Sequence, residues 1–143
     1  MKRLFDLALA VLLIFPVAAL LAVLAVLIRL DSPGSALFSQ TRIGRHGVPF
    51  TCLKLRTMYS GTPITPTHEA PAGSVTRIGK FLRATKLDEL PQLWNILRGD
   101  MSFVGPRPCL TMQSELIEAR RRLGVLALLP GITGVAQVKG IDM

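Results

Sequence analysis

Residues 7–28 read LALAVLLIFPVAALLAVLAVLI, a run of 22 residues without a charge that Asp6 and Arg29 bracket. At about 1.5 Å per residue, a helix of this length measures roughly 33 Å, enough to cross the hydrocarbon core of a bilayer. Pro16 lies near its middle and removes one backbone hydrogen-bond donor, so we expect a kink or a break there. The stretch predicts a membrane segment.

Three arrangements of this segment fit the sequence. A straight or mildly kinked span is the simplest. A cleaved signal peptide is a poorer fit, because the apolar region is long and no clean Ala-x-Ala site precedes Asp31. In the third, the helix enters the membrane, breaks at Pro16 and leaves on the same face. The positive-inside rule favours this re-entrant helix, since it keeps the flanking basic residues cytoplasmic: Lys2, Arg3, Arg29, Arg42 and Arg45.

The composition limits what the rest of the chain can be. The chain has 143 residues, half of them hydrophobic, with 17 basic and 9 acidic residues and a net charge of +8. It is too apolar for a disordered tail, and its two cysteines are too few for a disulfide framework. We expect one basic domain, residues 32–143, after the membrane segment 1–31. Such a surface attracts lipid headgroups, phosphates or nucleic acid.

The apolar pattern of the second part predicts a mainly α fold with one small β-hairpin. Strands are expected at Leu37–Ile43 and residues 49–58, around a Gly-containing turn. Residues 60–74 have loop composition. Helical spacing is present at residues 76–85, 87–97 and 112–123, the last with an apolar face of Leu116, Ile117, Ala119 and Leu123.

Three features set the expected ends of these helices. Pro91 is tolerated only in a first turn, so the second helix should begin close to Asp88 or Glu89, with Trp94 in its apolar stripe. Gly99 should end that helix. Pro130-Gly131 should break the chain after the third.

Asp88 and Glu89 form the one adjacent acidic pair in the sequence. Standing alone, the pair is typical of helix capping. Its surroundings favour another interpretation, because several basic residues lie within 25 positions of it: Arg83, Lys86, Arg98 and Arg107. Two carboxylates among cations at a helix N-terminus are typical of a phosphate site that contains a metal ligand or a nucleophile.

Further cations suggest where a phosphate would bind. Arg107 lies between Pro106 and Pro108, so its backbone is fixed before any ligand arrives, which suits bidentate phosphate binding. A rigid loop with a solvated arginine fits the same residues. Lys54 and Arg56 alternate with leucines on the second predicted strand, so both should lie on one face that contacts phosphate, headgroups or solvent.

Four motifs in order make the chain recognisable at this point. They are KLRTM at 54–58, LDELPQLWN at 87–95, GDMSFVGPRP at 99–108 and PGITG at 130–134. Together with the N-terminal apolar segment, they resemble the bacterial sugar transferase family, the monotopic polyprenol-phosphate phosphoglycosyl transferases of small catalytic-domain type. The resemblance covers almost the whole chain.

The resemblance implies a reaction and a location. In that family, a sugar 1-phosphate moves from a UDP-sugar to undecaprenyl phosphate with release of UMP, in the first membrane step of glycan assembly. The expected location is the bacterial inner membrane, with the catalytic domain on the cytoplasmic face. Membrane lipids, a second copy of the chain and downstream glycosyltransferases are the expected partners. Nucleic acid is not expected, since Trp94 and Tyr59 are too few for a stacking platform.

The resemblance also implies roles for individual residues. The family's Asp-Glu pair maps onto Asp88, as nucleophile, and Glu89, which would hold Mg²⁺ or manage the acceptor's proton; both are predicted Mg²⁺ ligands. The family's re-entrant helix breaks at a proline, here Pro16. The predicted phosphate-binding residues are Arg107, Lys54, Arg56, Arg83 and Arg98.

One departure leaves a second function open. The family's catalytic domains continue past the Gln-Val-x-Gly stretch, here residues 137–140, into further amphipathic helices, which are missing from this sequence. A truncated, non-catalytic homologue that binds the membrane surface is therefore the alternative.

Overall fold

The computed structural model describes residues 1–63, 71 and 73–139. The described part is mainly helical with a small antiparallel hairpin, as predicted. Its helices and strands are α1 (Lys2–Asp31), β1 (Leu37–Ile43), β2 (Pro49–Leu55), α2 (Arg77–Thr85), α3 (Gln92–Arg98), β3 (Ser102–Val104), α4 (Ser114–Arg122), β4 (Gly131–Thr133) and α5 (Val135–Val138). Part of the predicted loop, residues 64–70 and 72, and the end of the Gln-Val-x-Gly stretch lie outside the described residues.

One face of α1 packs against the rest of the protein along the length of the helix. Near its start, Ala10 joins a core cluster that includes Ile96 and Met101. Near its end, Leu24 and Ile28 belong to a second cluster with three further apolar residues, Ala36, Leu55 and Leu82. Large apolar side chains remain exposed on the other face, among them Leu4, Phe5, Leu12, Phe15 and Val23. Among the described residues, α1 is the one helix long and apolar enough to cross a membrane.

Of the kink or break expected at Pro16, the break is not present. Helical backbone continues through Pro16, whose side chain is exposed. A proline removes one donor, but neighbouring turns keep their own hydrogen bonds, and packing of the buried face offsets the loss. The sequence rule identified a weak point in the helix and overestimated its effect on secondary structure.

The hairpin aligns Leu37 with Leu55 at its open end and Ile43 with Pro49 at its turn. The first predicted strand is confirmed. The second ends at Leu55 instead of residue 58, and Met58 forms an isolated bridge with Val75. Beyond Leu55 the strand's alternation of faces no longer applies.

The segment between α2 and α3 is built from local signals. The Thr76 hydroxyl caps α2 by accepting a hydrogen bond from the Gly79 N–H at 2.9 Å. After α2 comes a 3₁₀ turn, Leu87–Glu89, and α3 begins after Pro91, so the predicted helix 87–97 is split in two. Gly99, at φ +93°, ends α3 as expected. Trp94 is 54% exposed, not part of a buried stripe.

A second, parallel strand pair was not predicted. Ser102 in β3 lies opposite Gly131 in β4, and Val104 lies opposite Thr133. A Cβ atom at Gly131 would overlap the backbone of Gly105, so this close approach requires glycine. Pro130-Gly131 therefore leads into a strand instead of breaking the chain.

Helix α4 lies within the predicted 112–123, but its apolar face is only partly correct. Leu116 and Ile117 are half-buried, whereas Ala119 and Leu123 are exposed. The predicted helical spacing is confirmed. Spacing alone does not determine which residues of α4 the rest of the protein covers.

Candidate active site

Asp88 and Glu89 lie side by side in the 3₁₀ turn Leu87–Glu89 that joins α2 to α3. Lys86 precedes them in the left-handed conformation, at φ +59°, and ends α2. Both acidic residues are buried, with 8% and 6% of their surfaces exposed. Two adjacent buried carboxyl groups are costly to ionise unless nearby cations compensate.

Glu89 is compensated by two cations that share one of its oxygens. The Lys54 Nζ and the Arg107 Nη2 donate to the Glu89 Oε1 at 3.0 and 3.2 Å. Burial opposes the ionisation of Glu89, but these cations outweigh it and hold its pKa below the usual range. Glu89 is therefore a carboxylate near neutral pH.

Asp88 has the opposite environment although it is the next residue in the chain. Its Oδ1 atom is buried and has no hydrogen-bond partner among the described residues. Burial raises the pKa of Asp88, and the charge of Glu89 raises it further, while Lys54 and Arg83 act in the other direction. The result is a more basic carboxyl group with one unpaired oxygen.

The two cations come from different parts of the fold. Lys54 lies on β2, and Arg107 lies in the segment that follows β3, between two prolines. Backbone carbonyls of that segment accept hydrogen bonds from two further guanidinium groups: Arg120 donates to the Arg107 oxygen at 2.5 Å, and Arg42 to the Pro108 oxygen at 2.9 Å. The Arg107 backbone is thus held from two sides.

A small, open cleft lies beside these groups. Lys54, Glu89 and Arg107 line it, together with residues that the sequence did not single out as site residues: Arg42, Cys52, Gln92, Pro108 and Gly131. Arg42 lies on the strand that pairs with β2, which is the one signal that could have suggested it. Burial raises the pKa of the Cys52 thiol, so Cys52 is a poor nucleophile.

Arg56 does not lie in this cluster, contrary to the prediction that it shares a face with Lys54. It lies just past the end of β2, and its guanidinium donates to the Ser32 and Pro33 carbonyls at 2.7 and 2.5 Å and to the Ser60 hydroxyl at 2.8 Å. We call this group the linker clamp, because it holds the segment between α1 and β1.

The other two predicted arginines differ from each other. Arg83 donates to the Thr57 hydroxyl at 2.9 Å, and its charge acts on Asp88, so it lies at the edge of the site. Arg98 is exposed, and its ion-pair partner is Asp100 at 3.5 Å. A phosphate-binding role for Arg98 stays a prediction.

The residues present fit a Mg²⁺ ion that a substrate phosphate helps to hold. Among the described residues, no group of three or more His, Cys, Asp or Glu side chains is arranged to hold a metal ion by itself. Mg²⁺ in phosphate-handling sites commonly takes one or two carboxylates plus phosphate oxygens and water. Asp88, with its unpartnered oxygen, and Glu89 supply that donor set.

These features define a class: a membrane-associated protein whose buried carboxylate pair, flanked by cations, suits a phosphate-bearing ligand. Within that class, the chain belongs to the bacterial sugar transferase family, whose model matches residues 1–143.

Several curated proteins are similar to the chain. A UDP-glucose:undecaprenyl-phosphate glucose-1-phosphate transferase of Caulobacter vibrioides is 48% identical over 98% of this chain and 54% of its own length. An undecaprenyl-phosphate glucose phosphotransferase of Komagataeibacter xylinus is 43% identical over 97% of this chain and 28% of its own length. A UDP-glucose:undecaprenyl-phosphate glucose-1-phosphate transferase of Escherichia coli is 39% identical over 98% of this chain and 31% of its own length. The chain spans about half of the first relative's length and less than a third of the other two.

Proposed function

We propose that this chain transfers a sugar 1-phosphate from a UDP-sugar to undecaprenyl phosphate and releases UMP, as a first membrane step of glycan assembly. One observation carries the proposal: Asp88 offers a buried, unpaired carboxylate oxygen beside a glutamate that two cations already neutralise. The family and the names of the relatives support the same class of substrates.

The proposed reaction has two halves. First, an Asp88 carboxylate oxygen attacks the phosphorus that carries the sugar, the bond from that phosphorus to the bridging oxygen breaks, and UMP leaves with the electron pair. Then a phosphate oxygen of undecaprenyl phosphate attacks the same phosphorus, and the Asp88 carboxylate is released. The products are UMP and an undecaprenyl diphosphosugar. Division into two displacements lets one site serve two substrates in turn.

The charges of the site suit this chemistry. A carboxylate that attacks a diphosphate brings negative charges together, so cations must neutralise them. Lys54 and Arg107 together exceed Glu89 by one positive charge, and Arg83 adds to the potential at Asp88. Mg²⁺ bound by Asp88 and Glu89 would neutralise further charge on the phosphate oxygens.

The two carboxyl groups suit different tasks. The raised pKa of Asp88 makes its carboxylate a stronger base and nucleophile once it is ionised. The lowered pKa of Glu89 keeps it ionised, so it is a fixed anion that holds cations and a poor store for the acceptor's proton.

We propose in addition that α1 is re-entrant, with a bend at Pro16 inside the continuous helix and both ends on the cytoplasmic face. At its start, Lys2 Nζ donates to the Val104 carbonyl at 2.7 Å, and Arg3 donates to the Ile96 carbonyl at 2.6 Å. At its end, the Asp31 carboxylate accepts a hydrogen bond from the Ile78 N–H at 3.0 Å. A helix that crosses a bilayer carries its ends roughly 30 Å apart to opposite sides. Because both ends of α1 contact the rest of the chain, these contacts favour an arrangement with both ends on the same side of the membrane.

Cysteine labelling in sealed vesicles tests this topology. Lys2→Cys and Arg45→Cys are made separately in a chain whose Cys52 and Cys109 are replaced by serine. A membrane-impermeant reagent is expected to label both positions from the same side. Labelling from opposite sides would refute the re-entrant arrangement.

UMP release tests the proposed reaction. The purified chain is mixed with each of several UDP-sugars, with and without undecaprenyl phosphate. Sustained UMP release is expected when both substrates are present, and release of at most one UMP per chain when the acceptor is omitted. A chain that binds membranes but releases no UMP with any donor would be the non-catalytic binding module.

A further inference from the structure

We infer that Asp6, near the start of the membrane helix, positions Arg107 for binding the diphosphate of the sugar donor; this rests on the proposed function. Asp6 is 2% exposed although it lies at the edge of an apolar segment. Its Oδ2 accepts a hydrogen bond from the Ser102 hydroxyl at 2.8 Å, and its Oδ1 accepts one from the Phe103 N–H at 3.3 Å. Both partners belong to β3.

Strand β3 leads directly into the segment that carries Arg107. Two backbone bonds to the β4 region extend the support: the Gly105 N–H donates to the Thr133 carbonyl at 2.9 Å, and the Gly131 N–H donates to the Pro106 carbonyl at 3.0 Å. With prolines at 106 and 108, little backbone freedom remains between β3 and Arg107. A shift of β3 along α1 is therefore transmitted to the guanidinium that meets Glu89.

Anchoring alone does not require a carboxyl group at this position. The rest of the buried face of α1 packs with apolar side chains, which tolerate sliding along the helix axis. The two hydrogen bonds of Asp6, together with that from the exposed Lys2 to the Val104 carbonyl, fix the register between α1 and β3. Of these two residues only Asp6 is buried, and an ionisable residue buried beside a membrane segment is costly unless it has such a function. Asp6 thus sets the position of the Arg107 segment relative to the membrane helix.

Kinetics of Asp6 variants test the inference. Asp6→Ala is expected to lower kcat/KM for the UDP-sugar about tenfold, mostly through KM, because Arg107 no longer meets the diphosphate in register. Asp6→Asn is expected to stay within about threefold of wild type, since its amide accepts from the Phe103 N–H and donates to the Ser102 hydroxyl.

A double-mutant cycle with Arg107→Ala separates positioning from stability. If Asp6 acts through Arg107, Asp6→Ala changes kcat/KM less than about twofold once Arg107 is absent. Leu24→Ala is the matched control, because Leu24 packs the other half of α1 and belongs to the cluster without β3 residues. Its effect should be the same in both backgrounds. Equal losses from Asp6→Ala in both backgrounds, or an unchanged KM, would overturn the inference.

Two additional measurements keep the test independent of folding and of turnover. Ser102→Ala removes a single hydroxyl and replaces Asp6→Ala in the cycle if that variant does not fold. The inference predicts that Ser102→Ala raises KM for the UDP-sugar about threefold and that this rise disappears when Arg107→Ala is also present. A rise in KM that persists with Arg107→Ala refutes the inference. The cycle is also run on the Kd of UDP-sugar binding. If wild type binds the donor but releases no UMP, the proposed function fails, and non-additivity in Kd still decides the role of Asp6.

Discussion

Lys54 in the candidate active site and Arg56 in the linker clamp are two residues apart on the chain, but they make opposite kinds of contact. In the site, Lys54 and Arg107 share one oxygen of Glu89, which a phosphate can replace as their partner. In the clamp, Arg56 donates to the carbonyls of Ser32 and Pro33, whose positions the chain itself fixes.

The difference shows how one pattern of cations can serve ligand binding and folding at once. Cations that meet a side-chain carboxylate keep their charge available, whereas a cation buried against backbone carbonyls is committed to holding the segment in place. The Asp88 Oδ1 in the site and the Arg56 Nε in the clamp are both buried without a hydrogen-bond partner among the described residues. The two groups therefore differ in what their cations contact, a side-chain carboxylate or backbone carbonyls.

The largest expected effect is that of Asp88→Asn on turnover. An amide cannot replace the attacking carboxylate, so UMP release should fall by at least about 10³-fold and no phosphosugar adduct should form. Intact-mass spectrometry after mixing with a UDP-sugar measures the adduct on wild type and variant. Undiminished turnover in Asp88→Asn would remove Asp88 from the role of nucleophile.

Arg107→Lys is expected to have the next largest effect. The variant keeps the charge but loses the planar guanidinium. The stabilisation of the transition state should therefore fall by about 1.5–3 kcal/mol, so that kcat/KM is roughly tenfold to a hundredfold lower. Arg98→Lys is the matched control, because Arg98 is exposed and forms its ion pair with Asp100. This substitution should leave kcat/KM within about twofold of wild type. Equal effects of the two substitutions would place Arg107 outside the phosphate-binding site.

Arg56→Met should separate the clamp from the site. Removal of the guanidinium leaves the buried Ser32 carbonyl without its donor, while the Pro33 carbonyl still accepts from the Ser60 hydroxyl at 3.1 Å. The free energy of unfolding should therefore fall by about 1–3 kcal/mol, while KM for the UDP-sugar stays unchanged. Thermal unfolding in detergent and steady-state kinetics measure the two effects. A raised KM with an unchanged melting temperature would assign Arg56 to the site after all.

The smallest expected effects concern the stability of the two adjacent acids. The pKa of Asp88 is raised, so its contribution to stability is present at low pH and is lost as the pH rises through the folded pKa. The pKa of Glu89 is lowered, so its contribution is present above the ordinary glutamate pKa and is lost as the pH falls through the folded one.

At neutral pH, therefore, Asp88→Asn should raise the thermal midpoint and Glu89→Gln should lower it. Each change should be smaller than that caused by Arg56→Met, and the gain from Asp88→Asn should shrink as the pH approaches the ordinary aspartate pKa. Thermal melts across this acidic range measure both trends. Shifts of the same sign for the two variants would contradict the opposite environments of Asp88 and Glu89.

Much of the fold could be predicted where the signals are local. The first strand and the end of α3 at Gly99 follow from residues within a few positions of each other. The β3–β4 pair was missed because two three-residue strands, distant in sequence, carry no periodic signal. Arg42 was missed as a cleft residue for a similar reason, since its partner Pro108 is distant along the chain.

The sequence by itself determined the apolar helix, the hairpin, the adjacent acids and the proline-flanked Arg107, because each depends on spacing, charge or backbone restriction within a short stretch. Tertiary structure alone decided that Lys54 meets Glu89 while Arg56 holds the linker, that Asp88 keeps an unpaired oxygen, and that Asp6 joins the membrane helix to β3. The physical reason is that burial and pairing depend on atoms brought together from distant parts of the chain. Such contacts change the energy of a charge far more than its neighbours in sequence do.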